Sequence, residues 1–264
     1  TDRTMELVSR YDDPRIVTAS LPLNCGISAA RNAGLRLAGG EFVAVMDSDN
    51  VAMPDRLAAQ VAEFDSHGGI DVLGTGLVKL ADGRELPQQH PREDEVIKAW
   101  LLHLNGAAII NGTTMMRRAF IEDHGLSYRN IPVDEDHALW IDCMRNGATF
   151  RNLPGHHMRL RRHEGNITSE RSPRWQGFQA RKTPLRAELL GLWYPELSHR
   201  ECHAMARLME FGANLGIEEI GLGLAAAAQV SRYRGNPLGA SQPHIEAILR
   251  DACSHVRHLL GKAM

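Results

Sequence analysis

The segment Asn24–Asp55 (NCGISAARNAGLRLAGGEFVAVMDSDNVAMPD) constrains the fold most, because a helix, a strand and an acidic turn follow one another within it. Ser28 suits a helix N-cap, and the alanines and leucines after it are strong helix formers. Gly39 and Gly40 suit the end of that helix. The apolar run EFVAVM, bounded by glycine and aspartate, reads as a short buried strand. The segment therefore predicts one αβ unit of an α/β sheet.

An acidic turn, Asp47-Ser48-Asp49-Asn50, follows this strand, and Pro54 suits the first turn of the next helix. In open α/β sheets, ligands bind beyond the carboxyl ends of the strands. Two carboxylates at that position suit Mg²⁺ or Mn²⁺, which would bind a diphosphate. A solvated turn is the alternative interpretation, because aspartate, serine and asparagine are common loop residues.

A second acidic group, Asp134-Glu135-Asp136, opens a predicted helix that runs to Asn146 and ends at Gly147. One explanation is that acidic residues in a first turn interact favourably with the positive end of the helix. The other is that one carboxylate is a general base, which accepts a proton from a hydroxyl group. The helix N-terminus would keep such a base ionised at neutral pH.

Taken together, these patterns resemble a known family. NxGxSxARNxG, the GEF strand, the DSD turn, the proline-led helix and the later EDxxLW resemble the inverting, GT-A-type glycosyltransferases of family 2, which use nucleotide sugars. The resemblance runs from about Thr1 to about Ser169. It implies a GT-A-like (Rossmann-like) mixed sheet flanked by helices over residues 1–170.

The resemblance also implies roles for individual residues. Asp136, the second acidic residue of EDxxLW, would be the catalytic base, with Glu135 beside it and Asp134 as an alternative. The implied metal ligands for Mn²⁺ or Mg²⁺ are Asp49, Asp47 and, as a third ligand or a diphosphate contact, His163. The residues implied in donor binding are Asn24, Arg31, Asp47, Ser48 and Arg161. Asn111 and Gly112 would line the acceptor side, unless they belong only to a structural strand.

The chain departs from the family pattern in two places. Asn50 stands where the family often has Asp, which affects the expected affinity for a metal. Thr1-Asp2 resembles the end of a turn that, in the family, follows two βα steps with the first strand and a base-binding Asp. We therefore expect that residues precede Thr1 or that another chain supplies them, because a sheet without that strand would expose backbone edges.

Hydrophobic periodicity and turn residues predict the elements between and after the motifs. The first is a helix Pro54–Phe64 with Leu57, Val61 and Phe64 on its buried face, followed by a strand Ile70–Val78 and a hairpin at Asp82-Gly83. A helix Arg92–His103 comes next, with Val96 and Trp100 on its apolar side. A short strand and helix follow Asn111, and a strand Ala148–Leu153 ends in a Pro154-Gly155 turn.

From about Arg171 onwards helix formers dominate, which predicts an all-helical C-terminal domain over residues 171–264. The predicted helices are Arg181–Leu192, Ser198–Leu215, Ile217–Arg232 and Gln242–Leu260, with Ser198 and Ser241 as caps. A helical cap that completes the core is the first interpretation. The alternatives are a wall of the acceptor pocket, a homodimer interface or a membrane-docking surface. A basic lid over diphosphate is a further alternative, formed by Arg171, Arg174, Arg181 and Lys182.

The composition excludes several classes of protein. The chain has 264 residues, 43% hydrophobic and 23% charged, which is ordinary for a soluble globular protein. A net charge of −2 does not indicate the excess of basic residues that nucleic-acid-binding proteins have. Four scattered cysteines lack zinc spacing and predict free thiols in a reducing compartment. Because no segment is apolar enough to span a membrane, we expect a cytoplasmic protein, with peripheral attachment at the inner face of the membrane as the alternative.

These observations predict a metal-dependent transferase that moves a sugar from a nucleoside-diphosphate sugar, with a UDP-sugar as the first candidate. The acceptor would be a hydroxyl of a glycan, a lipid-linked saccharide or a small glycoside. A nucleotidyltransferase is one alternative, although the chain lacks a glycine-rich phosphate loop. A non-catalytic, sugar-nucleotide-binding scaffold is the other, and the presence of both the DSD and the EDxxLW motifs argues against it.

Overall fold

The computed structural model describes residues 3–81, 83–161, 178–210, 215–233 and 236–263. Within them, a mixed sheet is flanked by helices and followed by a helical C-terminal region, which confirms the predicted α/β class. The strands are β1 (Phe42–Ala44), β2 (Val51–Ala52), β3 (Val72–Ala81), β4 (Arg84–Gln88), β5 (Met115–Arg117) and β6 (Phe150–Arg161). The helices are α1 (Thr4–Val8), α2 (Gly26–Leu37), α3 (Arg56–Ser66), α4 (Asp94–Trp100), α5 (Arg118–Asp123), α6 (Glu135–Arg145), α7 (Phe178–Trp193), α8 (His199–Leu208), α9 (Ile217–Val230) and α10 (Gln242–Ala263).

The strand order places the acidic turn across one end of the sheet. The order is β1-β5-β3-β6-β2, and β4 pairs with β3 as the predicted hairpin. β3 and β6 are parallel at the centre, whereas β1 pairs with β5 and β2 pairs with β6 in antiparallel fashion. The chain therefore leaves β1 at one edge and re-enters the sheet at the other. β1 is half-buried, not fully buried as predicted, because it pairs only with β5 among the described strands.

β6 is continuous, so the predicted turn at Pro154-Gly155 is wrong. Its pairing with β3 shifts register between Thr75 and Gly76, and Pro154 and Gly155 form a bulge there. Gly155 has a φ of +98°, and a Cβ on Gly76 would lie 2.4 Å from its carbonyl oxygen. The bulge lets the strand continue to Arg161, beside the acidic turn.

The prediction for the buried face of α3 is confirmed at Phe64 but wrong at its other two residues. The helix begins at Arg56, and both Leu57 and Val61 are exposed. The buried positions are Arg56, Gln60 and Phe64, four residues apart. Two of these are polar, so hydrophobic periodicity pointed to the wrong side of the helix.

Arg56 and Gln60 bind backbone carbonyl groups at the ends of strands. Arg56 donates to Gln60 Oε1 at 3.1 Å and to the carbonyl oxygens of Val45 at 2.8 Å and Thr114 at 3.2 Å. Gln60 donates to the carbonyl oxygens of Leu73 at 3.1 Å and Thr113 at 3.0 Å. Buried carbonyl groups need such partners, so this polar face holds the sheet together below the acidic turn.

The start of α2 differs from the prediction. The helix begins at Gly26, so Ser28 is not its N-cap; Ser28 is buried, and its hydroxyl has no partner among the described residues. Asn24 Oδ1 accepts the N–H of Gly26 at 3.1 Å, which turns the chain into the helix. The helix ends at Leu37, just before the predicted glycines.

The predicted helix Arg92–His103 is α4 followed by a 3₁₀ turn, Leu101–His103. Its buried residues include Ile97, Ala99, Leu101 and Leu102, whereas Val96 and Trp100 are only half-buried. The predicted apolar side is therefore offset by about one residue. The short strand and helix predicted after Asn111 are β5 and α5.

The four predicted C-terminal helices are α7 to α10, and their buried side chains continue the core beside the sheet. Trp193 of α7 and Met205 of α8 belong to the same buried cluster as Ile97 of α4 and Trp140 of α6. Ser198 caps α8 as predicted, in a reciprocal capping box with Glu201. The division into separate domains at residue 170 stays a prediction.

Two further predictions concern cysteines and membranes. The four cysteines are free thiols, as predicted. Among the described residues, no helix has both the length and the apolar character needed to cross a membrane.

A matched pair of glycines tests the packing of α8 against α9. A Cβ on Gly223 would lie 2.7 Å from the carbonyl oxygen of Ala204, whereas one on Gly221 would meet nothing within 4 Å. We predict that Gly223→Ala lowers the free energy of unfolding by about 1–3 kcal/mol, because the helices must separate. Gly221→Ala should raise it by about 0.5–1 kcal/mol through helix propensity. Urea unfolding of both variants measures the difference, and equal midpoints would contradict the packing.

Candidate active site

The acidic turn is fixed by its last residue. Asn50 is buried; its backbone N–H donates to the carbonyl oxygen of Asp47 at 3.2 Å, and its Oδ1 accepts the N–H of Arg161 at 3.2 Å. Asp47 and Asp49 are half-buried and Ser48 is exposed. The asparagine that departs from the family pattern therefore attaches the turn to the end of β6.

Arg31, in the middle of α2, joins the acidic turn to the start of α6. Its guanidinium donates to the Asp47 carboxylate at 3.0 Å and to the Glu135 carboxylate. The Arg31 side chain is 16% exposed and that of Glu135 only 9%, so this second pair is largely desolvated. Burial alone would lower the pKa of Arg31, but the neighbouring carboxylates, Glu135 foremost, raise it above its ordinary value. One cation thus holds acidic groups from two distant parts of the sequence.

Tyr128 and two asparagines fix the position of Arg31. The Arg31 guanidinium carbon lies 5.3 Å from the centre of the Tyr128 ring, a cation–π contact. Asn32 hydrogen-bonds to both the N–H and the carbonyl oxygen of Tyr128 at 2.8 Å. The Tyr128 hydroxyl contacts the Asn111 amide at 3.0 Å. With its amide oxygen assigned to the other side, Asn111 also accepts from the Arg31 guanidinium at 3.1 Å.

Gly112 lies directly against Asp47. A Cβ at this position would be 2.9 Å from Asp47 Oδ2, so any larger residue would require the carboxylate to move. The Asp47 side chain is 40% exposed and is held by Arg31 through Oδ1. Carboxylate oxygens at Asp47 and Asp49, next to solvent, are the ligands that Mg²⁺ and Mn²⁺ prefer. The residues of the turn therefore fit a hard divalent cation.

The start of α6 combines a strained residue with a charge cluster. Asp134 is buried and has φ 59° and ψ 29°, a left-handed conformation that is uncommon for residues other than glycine. His137 Nδ1 lies 3.3 Å from Asp134 Oδ1 and 3.2 Å from Asp136 Oδ1. The three side chains bring possible ligand atoms within 4.8 Å of one another. The imidazole itself supplies the positive charge that the two carboxylates need.

Asp136 and Glu135 differ in their electrostatic surroundings. Burial opposes ionisation of Asp136, but His137 and then Arg31 hold the pKa of its carboxyl well below the usual range. Burial and the adjacent Asp136 raise the pKa of Glu135, despite its contact with Arg31. The Asp136 side chain is 25% exposed, compared with 9% for Glu135. Asp136 is therefore the ionised, accessible carboxylate, and Glu135 is committed to Arg31.

Comparison with known proteins identifies the family. Residues 1–125 match the model of Glycosyl transferase family 2. This part of the chain is a family 2 glycosyltransferase domain.

Relatives of this family 2 domain include two proteins of polysaccharide biosynthesis. The succinoglycan biosynthesis protein ExoO of Rhizobium meliloti (strain 1021) is 32% identical over 162 residues, which cover 56% of this chain and 45% of ExoO. The amylovoran biosynthesis glycosyltransferase AmsE of Erwinia amylovora is 28% identical over 150 residues, 55% of this chain and 54% of AmsE. The chain thus spans about half the length of these curated relatives.

A solved structure supports the fold of the whole chain. Residues 1–349 of S. aureus TarS, crystallised with UDP-GlcNAc, align with a TM-score of 0.60 at 19% identity. The alignment covers 98% of this chain and 80% of that one. This likeness confirms the predicted GT-A-like fold.

The structure brings together only some of the residues predicted for the family 2 site. The Arg31 cation contacts Asp47, Glu135 and Asn111. Gly112 lies against Asp47. Asn24 is exposed and bonds to the start of α2, and Ser48 is exposed. Arg161 meets the acidic turn through its backbone N–H, and His163 lies outside the described residues. Their roles in binding stay predictions.

The contributors to the site that were not predicted include Tyr128, His137 and Arg56. His137 directly follows the predicted base in EDHALW, so its position in the sequence could have indicated a contact with that base. Arg56 was overlooked because an arginine on an amphipathic helix is usually solvated. Tyr128 has no spacing relative to a motif, and only the fold brings it to Arg31.

Lys182, predicted as part of a basic lid, is buried. It donates to the carbonyl oxygen of Leu104, while Arg186 donates to those of Leu102 and His103 at 3.1 Å. Burial lowers the pKa of Lys182. The two cations of α7 thus cap the 3₁₀ turn after α4, and the lid residues Arg171 and Arg174 lie outside the described residues.

Removal of Arg31 should reveal its coupling to Glu135. We predict that Arg31→Ala lowers the free energy of unfolding by about 3–5 kcal/mol, because it leaves a buried carboxylate without a cation. Arg31→Ala combined with Glu135→Gln should recover part of that loss. Urea unfolding of the wild type, both single variants and the double variant gives the coupling energy. A double variant that loses the sum of the two single effects would show that the residues are independent.

The contact between Gly112 and Asp47 predicts an effect on ligand binding. Gly112→Ala should displace the Asp47 carboxylate and weaken binding of Mn²⁺ with a nucleoside diphosphate by about tenfold or more. Gly34→Ala in α2 is the matched control, since a Cβ there meets nothing within 4 Å. Calorimetric titration of both variants measures the affinity. Wild-type affinity in Gly112→Ala would mean that Asp47 takes no part in binding.

Proposed function

We propose that this chain transfers a sugar, with inversion, from a nucleoside-diphosphate sugar to an acceptor hydroxyl, using Mn²⁺ or Mg²⁺. The observation that carries the proposal is the shared Arg31 cation, which joins Asp47 of the acidic turn to Glu135 beside Asp136. Donor-binding and base-bearing residues must share one site, because the acceptor oxygen attacks the carbon that the diphosphate leaves.

The acidic turn is the proposed donor site. Asp49 and Asp47 would hold the divalent cation, which when bound offsets the negative charge that builds on the leaving diphosphate. Arg31 and Gly112 fix Asp47 from the protein side. Arg161, exposed at the end of β6, would meet the diphosphate through its guanidinium. Asn24 and Ser48 are the proposed contacts to the remainder of the nucleotide.

Asp136 is the proposed general base. In inverting transfer, an acceptor hydroxyl attacks the anomeric carbon from the face opposite the leaving diphosphate. As that bond forms, the hydroxyl proton passes to the Asp136 carboxylate. The lowered pKa of Asp136 keeps it ionised at neutral pH, and its exposure gives an acceptor access. Glu135 is not the base in this proposal, because Arg31 holds it.

Asn111 and Gly112 would line the passage between the donor and acceptor sides. Gly112 leaves room for Asp47, and Asn111 contacts both Arg31 and Tyr128. An acceptor that approaches Asp136 would pass this surface.

The relatives suggest which substrates to test first. TarS was crystallised with UDP-GlcNAc, so a UDP-sugar is the first donor candidate. ExoO and AmsE carry the names of polysaccharide biosynthesis proteins, so a growing glycan is the first acceptor candidate. A lipid-linked saccharide and a small glycoside are the next ones.

Paired variants test the division of roles. Asp49→Asn should weaken metal-dependent donor binding, because it removes a charged ligand. Asp136→Asn should leave donor binding nearly unchanged and lower turnover by about 10²–10⁴-fold, the effect of losing a general base. Thermal shift with UDP-, GDP-, dTDP- and CMP-sugars, with Mn²⁺ or EDTA, identifies the donor, and release of nucleoside diphosphate measures turnover.

The controls separate the proposal from its rivals. Asp65→Asn, an exposed aspartate of α3, should match the wild type in both assays. Equal loss of donor affinity in Asp49→Asn and Asp136→Asn would contradict the assigned roles. Metal-dependent donor binding without turnover by any acceptor class would support a non-catalytic protein instead.

A further inference from the structure

His137 contacts the acidic residues on both sides of the predicted base motif. Its Nδ1 lies 3.2 Å from Asp136 Oδ1 and 3.3 Å from Asp134 Oδ1, and the side chain is only 9% exposed. When the ring is neutral, the N–H of Gly106, 3.4 Å from Nε2, favours the tautomer with its proton on Nδ1. Among the described residues Nδ1 makes no aligned hydrogen bond, so the ring meets the two carboxylates as ion-pair contacts at these distances.

The two oxygens of Asp136 are in different situations. Oδ1 accepts the backbone N–H of His137 at 2.8 Å and also faces its Nδ1. The hydrogen bonds found among the described residues leave Oδ2 open. The hydrogen bond and the ion-pair contact both hold Oδ1, which restricts rotation of the carboxylate and leaves Oδ2 available.

The backbone at Asp134 has an uncommon left-handed conformation. A left-handed conformation costs about 1–3 kcal/mol for residues other than glycine, and such strain clusters at functional sites. Asp134 is nevertheless buried, with Oδ2 unpartnered among the described residues and Oδ1 near His137. Asp134 and Asp136 thus both lie beside the same ring nitrogen of His137.

We propose that His137 is the positioning residue of the catalytic base: it fixes Oδ1 of Asp136 and leaves Oδ2 to receive the acceptor proton. This inference rests on the proposed function, in which Asp136 is the base.

Other charged groups around Asp136 are engaged elsewhere. Arg31 of α2 binds Asp47 and Glu135, and Lys182 of α7 donates to the Leu104 carbonyl group, although both act on Asp136 electrostatically. The Tyr128 hydroxyl contacts Asn111, and Glu135 and Asp134 add negative charge. Burial lowers the pKa of His137, but Asp136 and Asp134 more than offset this and raise it to about 9. The direct contacts to Asp136 thus come from His137.

Two substitutions in the full-length protein test the inference. The amide nitrogen of asparagine takes the place of Nδ1, whereas that of glutamine takes the place of Nε2. We expect His137→Gln to lower kcat by about 10²-fold with an unchanged donor KM, because the base is misplaced. His137→Asn should retain most of kcat. In His137→Gln the acid limb of the kcat/KM profile should move to higher pH by about one pH unit or more, because a charged neighbour of Asp136 is lost.

The controls distinguish the possible failures. Metal-dependent binding of UDP reports whether each variant is folded, and His258→Gln, on an exposed part of α10, controls for loss of a histidine. If His137→Gln does not fold, the pH profile of His137→Asn carries the test. Wild-type kcat and pH profile in both variants, with Asp136→Asn inactive, would overturn this inference alone. Equal losses in both variants with an unchanged pH profile would also overturn it, because they indicate a structural role. Absence of transfer by the wild type would overturn the proposed function itself.

Discussion

The contact between Arg31 and Glu135 is the interaction on which the site depends. A carboxylate as buried as Glu135 is unfavourable in the folded state unless a cation meets it. Arg31 lies in α2, before the first described strand, and Glu135 lies after the fifth. Pairing them fixes the start of α6 over α2. Because the same guanidinium also binds Asp47, the position of the acidic turn follows from the same requirement.

Near the site, buried cationic side chains bind backbone carbonyl groups in two places. Arg56 satisfies carbonyl groups beside the acidic turn, and Lys182 and Arg186 satisfy those of the 3₁₀ turn after α4. Unsatisfied buried carbonyl groups are costly, and arginine can offer five donors from one side chain. This arrangement makes α7 part of the support of the sheet region, consistent with the core that the C-terminal helices share with α4 and α6.

The sequence predicted the parts of the fold that local rules determine. The αβ unit, the hairpin, α6 with its end at Gly147 and the cap at Ser198 depend on periodicity, turn residues and capping, which act over a few residues. The errors have long-range causes. The buried face of α3 was predicted wrongly at Leu57 and Val61 because its polar residues meet strand ends far away in the sequence. Pro154-Gly155 was predicted to be a turn because the bulge exists only against β3. The charge pairs around Arg31 and Tyr128 depend on the assembled fold, so the site residues were predicted singly and their contacts were not.

The three acidic residues at the start of α6 show why a local explanation was incomplete. A helix N-terminus favours any nearby carboxylate, yet in the structure the three carboxylates have two specific partners. Glu135 binds Arg31, and Asp134 and Asp136 both lie near Nδ1 of the His137 imidazole. A carboxylate stabilised as an anion in this way remains ionised over the physiological range, but it is also intrinsically weaker as a proton acceptor. The arrangement therefore favours fixed geometry over basicity, which suits the proposed reaction, in which the proton moves only after the bond to the sugar has begun to form.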